Sequence, residues 1–237
     1  MKLRFRLPIL LSAVLLALAP AYSTTITTYS SFSNWAAATS PGFQTVTFEG
    51  LAPSGGVTNY TSPTGVTADG VEFIGYSTAG QSDLQVIDTS AFPWYNWGSG
   101  DAIIQSTAQS TSSSPLPYVS IVLPSNVTAL GMNLFTTNNQ GMTYSITVAG
   151  NQYNVPTSTQ PTLAFWGVTS DTPIASLTLA LEGTTWNNPS EMLADNFSFG
   201  ASDLSVAPEA GTYLLIGSGL IGFIALRKRL VPRKPEL

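Results

Sequence analysis

The sequence predicts an all-β protein, an antiparallel jelly-roll-like β-sandwich ectodomain with a cleavable N-terminal signal peptide and a single C-terminal transmembrane helix. Apolar runs between residues 22 and 200 are short, often alternate with polar residues, and are separated by turns rich in Gly and Pro. No helical pattern for parallel crossovers lies between them, which favours two antiparallel sheets packed face to face. A Greek-key sandwich of immunoglobulin type is the alternative, since the pattern does not determine strand order.

Each apolar run is interpreted as a strand. The turn Ala149-Gly150-Asn151 lies between two alternating segments, which predicts a hairpin. Ser33 is the predicted N-cap of a short helical turn containing an Ala run. The predicted strands are Gln44–Phe48, Val66–Tyr76, Leu84–Asp88, Ala102–Ser106, Tyr118–Leu123, Ala129–Thr136, Thr143–Val148, Gln152–Val155, Thr162–Val168, Ile174–Leu181 and Leu193–Phe199.

The N-terminus has the pattern of a secretory signal peptide. Three cations, Lys2, Arg4 and Arg6, directly precede an apolar stretch from residue 7 to residue 19. Small residues follow this stretch, and we expect cleavage after Ala21. A buried N-terminal helix is the alternative interpretation. The remainder of the chain is therefore expected to be exported.

The exported part is purely anionic. Of the 13 Asp and Glu residues only Glu209 and Glu236 lie beyond Ala207, so the segment from Tyr22 to Ala207 has eleven carboxylates, and it has no Lys, Arg or His. This charge repels phosphate backbones and excludes nucleic acid as a partner. Without disulfides, because the chain has no Cys, its stability must come from a hydrophobic core.

The same residue counts exclude most catalytic chemistry. A Ser-His or Cys-His nucleophile, a Schiff base and an imidazole-ligated metal all need residue types that the exported part lacks. A glycosidase is the one remaining route, because it needs only two carboxylates, such as a pair among Glu72, Glu182 and Glu191, about 5 to 10 Å apart. Nothing in the sequence pairs them, so we predict a protein without catalytic residues.

The C-terminus contains a short apolar run followed by cations. The sixteen residues from Gly211 to Leu226 would extend about 24 Å as a helix, which is short for a hydrocarbon core of about 30 Å but workable when Tyr213 and Arg227 lie at the two interfaces. The basic cluster that follows is expected to stay in the cytoplasm. It comprises Arg227, Lys228 and Arg229.

The segment "VAPEAGT", with Pro208, Glu209 and Ala210 before the apolar run and the basic cluster, resembles the PEP-CTERM sorting tag of exported proteins in exopolysaccharide-producing Gram-negative bacteria. Ala210 stands where that family usually has a second proline. The resemblance implies that an exosortase, an integral-membrane cysteine protease, recognises and cuts this motif. A permanent membrane anchor is the alternative, because a weak span with basic flanks needs no protease.

These features divide the chain and predict its location. We expect a precursor anchored in the inner membrane through its C-terminal helix, and a mature protein at the cell surface or outside the cell. The predicted parts are the signal peptide (1–21), the β-sandwich ectodomain (22–200), a linker with the sorting motif (201–210), the transmembrane helix (211–226) and a basic tail (227–237).

The resemblance extends more loosely over residues 40–200, where "FEG" at 48–50 and "LADNFSFG" at 193–200 are similar to segments of PEP-CTERM β-domains and of carbohydrate-binding jelly rolls. In such folds the first and last strands usually lie side by side. Glu49, Asp195 and Asn196 are therefore candidate oxygen ligands of a structural Ca²⁺, the one cofactor that the sequence suggests. The alternative is that these carboxylates accept hydrogen bonds from loop amides.

A second candidate site is the aromatic segment "AFPWYNWGSGD" at residues 91–101. Aromatic rings on a loop can stack on the C–H faces of sugars, while amide and carboxylate groups bind their hydroxyls. The alternative is that these rings cover one end of the core. The candidate glycan-binding residues are Trp94, Tyr95, Asn96, Trp97 and Asp101.

Together these observations predict a non-catalytic protein of the cell surface or extracellular matrix, associated with a polysaccharide of the envelope or matrix. Two alternatives stay open. One is a lectin-like carbohydrate-binding module, with or without a requirement for calcium; the other is a permanently anchored adhesive or structural protein.

Overall fold

The alternating segments form β-strands, as the sequence predicts. A computed structural model describes residues 24–40, 42–61, 63–76, 84–91, 100–106, 118–136, 142–157, 162–182 and 191–203, all within the unit Thr24–Leu204. The elements are β1 (Ile26–Tyr29), α1 (Phe32–Ala37), β2 (Gln44–Val46), β3 (Val57–Tyr60), β4 (Val66–Ala68), β5 (Val71–Tyr76), β6 (Leu84–Asp88), β7 (Asp101–Ser106), β8 (Tyr118–Val122), β9 (Ala129–Thr136), β10 (Thr143–Val148), β11 (Asn151–Pro156), β12 (Ala164–Ser170), β13 (Ser176–Glu182) and β14 (Glu191–Gly200).

The strands form two antiparallel sheets. Within the described residues, the larger sheet has the order β1-β12-β9-β14-β7-β6-β3, with β2 also paired to β14, and the smaller sheet has the order β11-β10-β13-β8-β5-β4. The main core contains side chains from both sheets, such as Met132 and Leu134 of β9 and Ile146 of β10. A second, smaller cluster contains Phe135 and Leu193. The predicted antiparallel β-sandwich is confirmed.

Tyr144 connects the two sheets through the core. It belongs to β10 of the smaller sheet, and its hydroxyl lies 2.8 Å from the carbonyl oxygens of Phe135 in β9 and Leu193 in β14. The same hydroxyl accepts a hydrogen bond from the Leu193 N–H at 2.8 Å. Burial raises the pKa of Tyr144, so the phenol keeps the proton that it donates.

Every predicted strand overlaps an observed strand, but the structure differs from the prediction in two respects. The segment from Val66 to Tyr76 is a hairpin and not one strand, because Asp69 (φ +50°) and Gly70 (φ +80°) form a turn. Asp-Gly is itself a hairpin signal. Two short strands, β1 and β3, were not predicted, since neither has an apolar run of its own.

The predicted hairpin around residue 149 is confirmed, and the predicted helix cap is wrong by two residues. Ala149 and Gly150 both have positive φ angles and join β10 to β11. The helix begins after Ser31, and Ser33 lies inside it. This earlier start places Phe32 one turn from Trp35, so both rings can pack on the larger sheet.

No helix within the described residues is long and apolar enough to cross a membrane. The predicted signal peptide, sorting motif, transmembrane helix and basic tail all lie outside those residues.

Replacing the Tyr144 hydroxyl tests its bridging role. Tyr144→Phe should lower the free energy of unfolding by about 1 to 3 kcal/mol, because the Leu193 N–H loses a buried hydrogen-bond acceptor. Urea unfolding followed by tryptophan fluorescence measures this change. Tyr118→Phe is the control, since that ring stacks on Tyr76 in the smaller sheet; equal stability losses in both variants would contradict the bridging role.

Candidate functional site

Strand β14 changes its partner halfway along one edge. Glu191–Ala194 pairs with β7 and Phe197–Phe199 pairs with β2, while β9 pairs along the opposite edge. The register shifts between Asp195 and Ser198 at this junction. Ala194 and Phe197 both belong to the core cluster, so the two residues between them form a bulge directed toward the outer face of the larger sheet.

Asp195 fixes Asn196 at this bulge. The Asp195 side chain is fully buried, and its two oxygens accept hydrogen bonds from the Asn196 backbone N–H at 2.6 Å and from the Asn196 side-chain amide at 2.9 Å. A carboxylate can only accept, so this contact determines the orientation of the amide. The amide oxygen of Asn196 is therefore turned away from Asp195.

A groove lies on the outer face beside this bulge, and we call it the outer-face groove. Its volume is about 350 Å³. Asn133 enters it from β9, opposite Asp195 in register, and Thr45 and Ser198 share a hydrogen bond of 2.8 Å across β2 and β14. The lining residues are Phe32, Thr45, Asn133, Phe165, Asn196 and Ser198.

Two phenyl rings form the apolar wall of the outer-face groove. Phe32 of α1 and Phe165 of β12 meet edge to face, with ring centroids 5.6 Å apart. Phe32 is 48% exposed, and among the described residues the only other large hydrophobic side chain with high exposure is Val122. The exposed Phe32 ring and the Phe165 ring beside it give the groove an apolar side on which a flat apolar face can stack.

Two opposed glycines allow α1 to lie against the sheet. Gly131 of β9 and Gly167 of β12 are direct register partners. A Cβ atom on Gly131 would lie 2.6 Å from Phe165, and one on Gly167 would lie 2.7 Å from Trp35. The Trp35 indole N–H also donates to the Val168 carbonyl at 3.1 Å. The two glycines thus leave the space in which Trp35 and Phe165 pack on the outer face of the sheet.

The outer-face groove can bind and orient an uncharged molecule. Its six lining side chains comprise amides, hydroxyls and phenyl rings, which donate and accept hydrogen bonds and stack on apolar faces. The chain carries no Lys, Arg or His between residues 22 and 207. An anionic ligand would therefore find no cationic side chain from this part of the chain to pair with.

The predicted calcium ligands take part in amide contacts. Glu49 accepts a hydrogen bond from the Asp101 N–H at 3.2 Å, and Asp195 holds Asn196 at the bulge. Glu49 follows Phe48, whose φ of +61° turns the chain where β2 ends. Among the described residues no group of three or more acidic, His or Cys side chains is placed to hold a metal. These contacts are those of the capping alternative, and calcium binding stays a prediction.

Of the predicted glycan-binding residues, Trp94, Tyr95, Asn96 and Trp97 lie outside the described residues. Asp101 is described, and its side chain is buried at the start of β7. Its carboxylate accepts hydrogen bonds from the N–H groups of Gly50 at 2.9 Å and Ala52 at 3.3 Å. Asp101 therefore holds the loop that comes after β2.

Sequence reasoning did not find most of the outer-face groove. Of the residues that line the groove, the sequence singles out only Asn196, as a candidate ligand of Ca²⁺. A signal was present in "ALGMNLFT", where Asn133 interrupts the apolar run from Ala129 to Phe135 and Gly131 leaves space beside it. A polar side chain in the middle of a buried strand needs a partner or a purpose.

Comparisons with known proteins give distant similarities only. No family model matches the chain, and no curated protein matches it. One similar solved structure is TmCBM61 in complex with β-1,4-galactotriose, which is 15% identical with a TM-score of 0.35, the alignment covering 61% of this chain and 99% of the other. Another is a carbohydrate-binding module of family 29, 12% identical with a TM-score of 0.35, covering 79% and 97%. Such low similarity assigns no ligand to this chain.

The loop contacts of β6 predict a loss of stability in acid. Asp88 lies opposite Asp101, and the Gly55 N–H, followed by the Ser90 hydroxyl, lowers the pKa of Asp88 below its ordinary value of 3.8. A lowered pKa stabilises the folded state above 3.8, and this contribution is lost as the pH falls through the folded-state pKa.

Asp88→Asn should therefore be less stable than the wild type at about pH 6 and closer to it at about pH 2.5, because more of the wild-type carboxylate is protonated at the lower pH. Urea unfolding at the two pH values measures the gap. A gap of the same size at both would contradict this role of Asp88.

Proposed function

We propose that the protein is an exported, non-catalytic carbohydrate-binding protein of the cell surface or extracellular matrix, and that the outer-face groove binds a neutral glycan. The observation that carries this proposal is the exposed Phe32 ring beside the Asn196 amide, which Asp195 holds in one orientation. A sugar ring presents both an apolar face and hydroxyl groups, so it matches such a pair.

The chemistry of the remaining lining supports a sugar ligand. Asn133 offers a second amide, and Thr45 offers a hydroxyl whose position is fixed by its hydrogen bond to the buried Ser198. Sugar hydroxyls both donate and accept hydrogen bonds, so few groups would be left unpaired on binding. The volume of about 350 Å³ lies within the range of roughly 300 to 1,000 Å³ that is usual for small-molecule sites.

The charge of the exported part favours a neutral polysaccharide over an acidic one. Eleven carboxylates and no cation lie between residues 22 and 207. Uronate or phosphate groups would be repelled by this field and would find no cationic partner. We therefore expect the ligand to be a neutral polysaccharide.

We further propose that the sandwich belongs to the jelly-roll class and that the C-terminal motif is a sorting tag. The pairing of β2 with β14 supports the former, since it brings an early and a late strand together. For the latter, the Pro208-Glu209 motif before an apolar run and a basic cluster supports processing by an exosortase-type protease. A membrane-anchored precursor would then give rise to a surface or matrix protein.

Variants of the outer-face groove test carbohydrate binding. Phe32→Ala and Asn133→Ala should each weaken retention by about fivefold to 100-fold, since each removes a stacking or hydrogen-bonding contact worth about 1 to 3 kcal/mol. Affinity electrophoresis through gels containing β-1,4-galactan, β-1,4-glucan or β-1,4-mannan measures this retention.

Val122→Ala and Asn59→Ala are the matched controls, because Val122 is the other exposed large hydrophobic among the described residues and Asn59 is an exposed strand amide that contacts Gln85. Both should keep wild-type retention. The proposal fails if no gel retards the wild type, or if the groove variants migrate as the controls do.

Mass spectrometry of the mature protein from its native cells tests the sorting tag. We expect a protein that lacks the residues after the Pro208-Glu209 motif, because the resemblance implies cleavage there. Glu209→Gln should leave the tail in place, whereas Glu236→Gln, beyond the basic cluster, should not. A mature wild-type protein that retains Arg227, Lys228 and Arg229 would instead indicate a permanent anchor.

A further inference from the structure

A second cavity lies where the edges of the two sheets meet, and we call it the edge cleft. Its volume is about 290 Å³. Tyr29 and Ser30 line it from the end of β1, Tyr153 and Asn154 from β11, and Phe165 and Trp166 from β12.

The strand pairing leaves this cleft open. β1 ends at Tyr29, opposite Gly167, so β1 does not extend along Phe165 and Trp166. On the other sheet β11 pairs with β10 and is the terminal strand of the order that the described residues give. Pro156 at the end of β11 has no backbone N–H, which disfavours addition of a peptide strand there.

The edge cleft has the same chemical character as the outer-face groove. The Tyr153 and Trp166 rings lie 5.9 Å apart at 49°, with Trp166 only 4% exposed at the base. Asn154 of β11 and Ser30 after β1 also line the cleft, and both are exposed. None of the described residues that line the cleft is an acid or a base that is charged at neutral pH.

Phe165 lines both cavities. We infer that the outer-face groove and the edge cleft are consecutive subsites for one neutral polysaccharide chain, which crosses β12 at Phe165. This inference rests on the proposed function. It adds that the protein binds an extended stretch of polymer, with its affinity rising as the chain grows long enough to reach Tyr153 and Asn154.

The test compares oligosaccharides of two lengths by isothermal titration calorimetry. The probes are the trisaccharide and the hexasaccharide of β-1,4-linked galactose, glucose and mannose. We expect the wild type to bind the hexasaccharide of one series at least tenfold more tightly than its trisaccharide. Tyr153→Ala should remove this difference and Ser30→Ala should reduce it, while both variants leave the trisaccharide affinity unchanged.

Ser30→Ala keeps the test independent of folding, since Ser30 is exposed, and Ser176→Ala, at an exposed serine of β13, is the matched control. Asn133→Ala should weaken both probes. If Asn133→Ala weakens both probes but the wild type binds the two probes equally, the inference fails and the proposed function stands. The same conclusion follows if the edge-cleft variants bind the hexasaccharide as tightly as the wild type. If no probe binds, or Asn133→Ala changes neither affinity, both fail.

Discussion

The arrangement of the larger sheet depends on how β14 keeps its backbone hydrogen-bonded while two strands share one of its edges. β7 ends its pairing at Ala194 and β2 begins at Phe197. Backbone N–H groups in such a gap must find other partners, because leaving one buried and unpaired costs about 1 to 3 kcal/mol. The Asp195 carboxylate serves the Asn196 N–H, and in doing so it also fixes an amide beside the outer-face groove. A structural requirement and a candidate binding feature thus have the same origin.

The second requirement concerns α1, which has six residues and is too short to be stable alone. Its stability comes from Trp35, which is fully buried over the opposed glycines of β9 and β12. The same helix turn presents Phe32 to solvent. The exposed ring is therefore held by its contacts with the buried Trp35 and with Phe165.

Much of the fold could be predicted from the sequence, because strand alternation and hairpin turns such as Ala149-Gly150 are local signals. The site was harder to predict. Its residues lie far apart in the chain, and only the register places Asn133 opposite Asp195. The expectation that an early and a late strand adjoin is confirmed for β2 and β14. The contacts of the loop after β2 could not be predicted. Beyond Val46 the edge of β14 is taken by β7, so Glu49 contacts Asp101 of β7 and not Asp195.

The amides and rings of the candidate groove come from paired strands and one packed helix. Few of them would need to be ordered when a partner arrives, so association would forfeit little side-chain entropy. A preorganised surface of this kind can rely on many weak contacts repeated along a polymer. It can also dissociate from one repeat of the polymer and rebind a neighbouring repeat. A protein of this kind would stay bound to a flexible polymer without a fixed binding position.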